Sequence, residues 1–191
     1  KKSLFLNLYF HSTQNSIMGR KKNNKRSNRV LQRCGPKGAH EIVQGIFISG
    51  EHFAMNEEKL KHNGIASIVA CGCRAHFPEK FRYKEIRLSD SATSNVGNYL
   101  HPAADFIAQS LRHGAVLVHC KAGICRSTTM IAAYLLKYSR DITPTLADAL
   151  KLIRQSRPCA NPRPEFIESL EQFSEQLCWL EEQRKSLEEE T

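Results

Sequence analysis

The chain has 191 residues, with 28 Lys and Arg against 19 Asp and Glu, a formal net charge of +9 and length enough for one domain with a real core. Ten of those basic residues and no acid fall within residues 1–40, leaving 18 basic against 19 acidic residues beyond; the body is nearly neutral, which argues against a nucleic-acid-binding surface there. No run of about 18 apolar residues is present to span a membrane, and seven cysteines without scaffold-like spacing point to a reducing compartment rather than a disulfide framework.

Residues 1–40 are poor in aliphatic side chains, rich in Asn, Ser, Lys and Arg, and without periodicity, so they read as a disordered basic tail. "SLFLNLYF" is short for a signal-peptide core and has no clear cleavage site. Met18-Gly19 stands directly before the basic run, so residues 1–17 read as upstream sequence or a fragment edge. "RKKNNKRSNR" has the clustered charge of a nuclear import signal, making an import receptor the partner it fits and nuclear or cytoplasmic residence the expectation. The alternative is a mitochondrial presequence, which the acid-free composition allows but the missing amphipathic face weakens.

A domain is expected over residues 41–180, followed by an acidic end at 181–191. "EIVQGIFISG" holds two short β-rich runs split by Gly45, and "EHFAMNEEKLKHNG" predicts a helix stopped at Asn63-Gly64. "IASIVA" and "FRYKEIRL" read as strands, with the polar loop "SDSATSNVG" after them. "NYLHPAADFIAQSLRHG" puts Leu100, Ala104, Ile107 and Leu111 on one helical face, with Pro102 blurring its start. "AVLVH" is a buried strand and "RSTTMIAAYLLKY" a helix apolar nearly all round. Thr143-Pro144 reads as an N-cap and N1 proline for a helix burying Leu146, Ala149, Leu150 and Ile153. The last helix carries Phe166, Leu170, Phe173, Leu177 and Leu180 inward. Strands alternating with helices predict an α/β domain with a central, largely parallel sheet flanked by helices, whose site lies beyond the carboxyl ends of the strands.

"HCKAGICRS", residues 119–127, occupies that location. Gly123 permits a tight loop whose N–H groups, from Lys121 through Ala122, Gly123, Ile124 and Cys125 to Arg126, converge with the positive end of the next helix into a phosphate-sized nest. The same field stabilises a thiolate at Cys120, a nucleophile at neutral pH. Arg126 offers a planar fork to two phosphoryl oxygens, and the Ser127 hydroxyl can donate to the sulfur when it departs. A buried strand-turn-helix corner with an arginine salt bridge would not require Cys, Gly, Arg and Ser together at these places. The bare Cys-x5-Arg spacing recurs in "CWLEEQR" at Cys178, within a continuous acidic helix lacking glycine, and means nothing there. Cys71-x-Cys73 with His76 lacks a second ligand pair, so these read as plain thiols and no metal is expected.

"HCKAGICRS", followed by "AYLLKY" and "RPCANPRPEF", resembles the dual-specificity phosphatases of the cysteine-dependent protein tyrosine phosphatase superfamily, over roughly residues 41–180 including "GIFISG" and "NGIASIVA". The resemblance implies a protein tyrosine phosphatase-like fold and hydrolysis of phosphotyrosine and phosphoserine/threonine in protein substrates through a phosphocysteine intermediate, without a metal or other cofactor. It implies an acid some thirty residues before the cysteine, which Asp90 fits, whereas Asp105 reads as an exposed helical charge. It assigns His119 to orienting the loop and depressing the thiol pKa rather than to general-base work. Arg163 departs from the pattern, which has asparagine at that place.

Cys125, five after the nucleophile, matches the second thiol of the low-molecular-weight phosphatases, so a redox role stands beside plain packing. The main rival is a lipid phosphatase acting on phosphoinositides or phosphatidylglycerophosphate: those branches share "HCKAG" with its Lys121, but the second loop lysine of the phosphoinositide branch is Ile124 here. A phosphate-binding module without activity is disfavoured by intact Cys120, Arg126 and Asp90. An RNA triphosphatase is disfavoured by Arg126-Ser127-Thr128 in place of Arg-Thr-Gly.

Overall fold

Gln44-Gly45 reverses the chain between two β-rich runs, and Gly45 takes the left-handed φ of 80° that the turn needs. The computed structural model describes residues 38–189; the expected disorder and addressing role of the basic tail lie almost wholly outside them. The turn joins β1 (Ala39–Val43) to β2 (Ile46–Gly50) as an antiparallel pair. β1 thus begins two residues ahead of the boundary expected at 41. Then follow β3 (Ile65–Cys71), β4 (Arg82–Ile86) and β5 (Ala115–Cys120). The sheet order is β1-β2-β5-β3-β4, and every pairing except β1–β2 is parallel, as the alternating sequence predicts.

The pleat sorts the two faces of β5. Val116, Val118 and Cys120 join the large core, whereas Leu117 packs on the opposite face with Phe53, Leu60, Ile68 and Phe81. On the large-core side lie α3 (Gly97–Ser110), α4 (Arg126–Tyr138), α5 (Leu146–Ser156) and α6 (Pro164–Glu189). α4 buries almost its whole surface. Its threonines tolerate this because Thr128 and Thr129 donate their hydroxyls to the carbonyls of Ile124 and Cys125 (2.7 and 3.0 Å).

Three local expectations are corrected. Residues 51–64 form two helices, α1 (Glu51–Ala54) and α2 (Glu57–His62), because the Asn56 side chain accepts the Lys59 N–H and restarts the helix. The α5 cap is Thr145, which accepts from the Asp148 N–H; Thr143 is buried and donates to the carbonyls of Leu135 and Ser139. Leu180 is 44% exposed, since α6 outruns the core after Leu177 and carries the acidic end on as helix to Glu189. Asp105 is, as expected, a helical charge with 40% of its side chain exposed; it pairs with Lys137 (2.5 Å) and accepts from the Tyr138 hydroxyl (2.7 Å).

Candidate active site

β5 ends at Cys120 and α4 begins at Arg126, so the loop 121–125 lies at the carboxyl edge of the sheet. Its conformation follows from where its carbonyls go. Lys121 O accepts from the Glu51 N–H (3.2 Å), and Ala122 O and Gly123 O accept from the Arg157 guanidinium (3.1 and 2.5 Å). Ile124 O accepts from the Asn161 N–H (2.8 Å), and Cys125 O from the Thr129 N–H (3.0 Å). Each of these five carbonyls has a donor, the last of them within the first turn of α4, and the backbone at Gly123, Ile124 and Ser127 faces the Cys120 sulfur. The Gly123 N–H donates to the Cys120 Sγ at 3.2 Å. Gly123 has φ +67, and a Cβ there would fall against the Ser49 carbonyl and Arg157, so the loop needs glycine both for its torsion and for its close approach.

Cys120 is 2% exposed. Burial works against its thiolate, but the Ser127 hydroxyl at 3.3 Å, the backbone at Ser127 and Ile124 and the Arg126 guanidinium outweigh it and hold the thiol below its ordinary value. Arg126 is buried, donates to the Leu88 carbonyl (3.3 Å) and stands 3.6 Å from the Asp90 carboxylate. Gly72, at φ +66, makes room for it: a Cβ at that position would fall on the guanidinium. Asp90 lies on a loop knitted by the hydroxyls of Ser89, Ser91 and Ser94, with its second oxygen 3.8 Å from Arg163. The predicted nucleophile, arginine, serine and acid therefore meet in one place.

Three predicted site residues have other surroundings. The Lys121 side chain is 78% exposed and turns to Glu51 at 2.8 Å, a pairing that raises the lysine pKa and lowers that of Glu51; only its backbone serves the loop. His119 points to the small-core face beside His76, with ring centroids 6.4 Å apart. Burial, then His76, push its pKa down to about 4, and neither ring nitrogen has a well-formed hydrogen bond. The ring lies on the face opposite the Cys120 side chain and meets the loop through the backbone at Cys120, a contact that opposes the lowering. Cys125 is buried at the start of α4, and burial pushes its thiol up to about 12. Cys71, wholly buried beside β5, is likewise raised, by burial and then by Cys120. Among the described residues no group of three or more His, Cys, Asp or Glu is placed to hold a metal ion, and no helix is long and apolar enough to cross a membrane.

Arg157, Gly72, Glu51 and the reach of Arg163 to Asp90 escape sequence reasoning. Arg157 is 1% exposed, and its sequence neighbours give no hint that it holds a loop 34 residues earlier. Its one visible trace is its place in "RPCANPRPEF", the segment that carries the resemblance.

A nucleophilic cysteine at the base of an N–H cup, an arginine at its rim and a carboxylate above it define a cysteine-dependent protein phosphatase domain. The family model described as "Dual specificity phosphatase, catalytic domain" matches residues 46–176, and the chain belongs to that family. It is 35% identical over 154 residues to "Dual specificity protein phosphatase 1B" of Arabidopsis thaliana, covering 79% of this chain and 89% of that protein. It is 36% identical over 140 residues to "MAP kinase phosphatase with leucine-rich repeats protein 3" of Dictyostelium discoideum, covering 72% of this chain but only 16% of that protein. Among solved structures, that of DUSP15 superposes with a TM-score of 0.66 at 28% identity, covering 81% of this chain and 97% of that one. The human "tyrosine phosphatase-like serine/threonine/tyrosine-interacting protein" matches with the same score and identity over 72% of this chain and 95% of its own.

Proposed function

We propose that this protein hydrolyses phosphotyrosine and phosphoserine/threonine in proteins through a phosphocysteine intermediate. The observation that carries the reading is the tether of five successive carbonyls around a buried cysteine whose thiol is held below its ordinary value. In the first step the Cys120 thiolate attacks phosphorus and the bond to the substrate oxygen breaks. That oxygen takes the Asp90 proton and leaves as the alcohol or phenol, while Arg126 and the loop N–H groups hold the phosphoryl oxygens. In the second step the Asp90 carboxylate takes a proton from water, whose oxygen attacks phosphorus. The sulfur leaves as thiolate with the Ser127 hydroxyl donating to it, and inorganic phosphate is released.

The names of the relatives support protein substrates of both kinds. The lipid alternative is weakened by Lys121, which is tied to Glu51, and by Ile124 at the place of a second loop lysine. Turnover of phosphotyrosyl and phosphothreonyl peptides is the test, measured against short-chain phosphoinositides and phosphatidylglycerophosphate. Higher kcat/KM on the peptides is expected, and a preference for either lipid would overturn the reading. For the tail we propose nuclear or cytoplasmic residence set by "RKKNNKRSNR". Residues 1–40 fused to a fluorescent reporter should not enter mitochondria, and mitochondrial signal would reverse the choice and raise the lipid reading.

A further inference from the structure

Beside the phosphate cup, at the backbone of Gly72, lies a cleft of about 660 Å³ whose walls include Cys73, Arg74, Pro78, Glu85 and Arg87. Gly72 lines the cleft and also touches the cup: its N–H donates to the Ile86 carbonyl (2.8 Å), and a Cβ on it would strike both the Arg126 guanidinium and the Leu88 carbonyl to which that guanidinium donates. One residue thus borders both the catalytic arginine and a second space.

That second space is cationic. Arg74 and Arg87 both line it, and among the described residues neither guanidinium has an ion pair or a side-chain hydrogen bond. The acid in the wall, Glu85, already accepts the Ala75 N–H at 2.7 Å. Two other cations near the cup have carboxylate neighbours: Lys121 pairs with Glu51, and Arg163 lies within 3.8 Å of Asp90 and 3.4 Å of Glu165. Two arginines without an ion pair against one carboxylate leave the cleft with a net positive charge, suited to a phosphate or a carboxylate.

We propose that the Arg74–Arg87 cleft is a specificity subsite that receives a second anionic side chain of the same substrate, phosphorylated or carboxylic, within about two residues of the phosphoresidue in the cup. The spacing follows from that one shared residue and from a rise of about 3.3–3.6 Å per extended residue. The inference rests on the protein-phosphatase reading, which makes the occupant a peptide rather than a polyphosphorylated lipid headgroup.

The test uses the full chain, its Arg74→Ala/Arg87→Ala variant and the corresponding double lysine variant. Substrates are p-nitrophenyl phosphate, a phosphotyrosyl peptide with neutral flanks, the same peptide with Asp at either second neighbour, the doubly phosphorylated peptide, and a soluble phosphoinositide bisphosphate. Two exposed charge pairs together supply about five- to tenfold. The alanine variant should therefore lose that factor in kcat/KM, mainly through KM, on the two anionic peptides. It should stay within about twofold of wild type on p-nitrophenyl phosphate and the neutral peptide. The lysine variant should keep part of the preference, and raising salt should narrow it in wild type. Equal losses on neutral and anionic peptides, or no loss on either, would overturn the subsite; so would a larger loss on the phosphoinositide than on the doubly phosphorylated peptide. Failure of the phosphatase reading shows separately, as absent p-nitrophenyl phosphate turnover in wild type. In that event, titrating the doubly phosphorylated peptide into Cys120→Ser with and without the two arginines still reads the subsite, and equal affinities would refute it.

Discussion

Replacing Arg157 tests whether the tether of the loop shapes the nucleophile. The guanidinium is buried and donates to the carbonyls of Ala122 and Gly123. Hydrogen bonds from a charged donor contribute about 1.5–3 kcal/mol each, and a buried carbonyl left without a donor costs about 1–3 kcal/mol. The cost of desolvating the cation offsets part of that gain. Arg157→Ala should therefore destabilise the fold by about 2–5 kcal/mol, read from urea unfolding. Two freed carbonyls would also let the loop turn its N–H groups away from the sulfur, so kcat/KM should fall by about a hundredfold. Arg157→Lys keeps a charge but cannot span both carbonyls, and it should fold with an intermediate activity. The distinguishing readout is the pH dependence of Cys120 alkylation by iodoacetamide. If the tether maintains the thiolate, the alkylation midpoint moves up in Arg157→Lys. A folded Arg157→Lys with wild-type alkylation and wild-type turnover would refute the reasoning.

Asp90→Asn should slow hydrolysis of alkyl phosphates by about 10²–10⁴-fold and that of substrates with acidic phenols far less; equal losses on both would remove Asp90 as the proton donor. His119 has an ordinary pKa of 6.5 and one of about 4 in the fold. The unfolded chain thus binds the extra proton first as pH falls, so this contribution is whole above about 6.5 and lost progressively towards 4. Wild type should lose about 2 kcal/mol between pH 7 and 5 from this group, measured by urea unfolding at each pH. His119→Phe should flatten that dependence, and an unchanged slope would contradict the assignment. The redox reading of Cys125 predicts an intramolecular Cys120–Cys125 disulfide after mild peroxide treatment. It should form slowly, because burial pushes the Cys125 thiol up to about 12; mass spectrometry of the loop peptide and recovery in dithiothreitol read it. Equal recovery of wild type and Cys125→Ser, with no such disulfide, would leave Cys125 a packing residue.

What the sequence made legible was what short-range chemistry encodes. An apolar strand, a glycine loop and an apolar helix placed Cys120, Gly123, Arg126 and Ser127 together before any coordinates, because one turn of chain holds them. Asp90 came only with the resemblance, since its partner Arg126 lies 36 positions on. Periodicity misled at residues 51–64, where the Asn56 side chain competes with the helix for a backbone N–H. Thr143 and Thr145 flank Pro144 and look alike as caps; tertiary burial of Thr143 decides between them. The repeat through Leu180 continues on α6 after the core beneath it has ended. His119 stands next to Cys120 in the motif and the alternation of the strand puts its ring on the opposite face; its role toward the loop comes with the resemblance alone. Arg157, Gly72 and the Arg74–Arg87 cleft depend on contacts between distant segments, which leave no local pattern.

The central claim is that Cys120 carries the phosphoryl group between two half-reactions. The most direct measurement is acid quenching of wild type during turnover of a phosphotyrosyl peptide, followed by mass spectrometry of the peptide holding residues 119–126. One phosphoryl group on Cys120 is predicted in wild type, with a larger trapped fraction in Ser127→Ala, whose thiolate is the poorer leaving group. No adduct should form in Cys120→Ser, and that variant should not turn over. Steady turnover by Cys120→Ser, or a phosphoryl group trapped on another residue, would contradict the account.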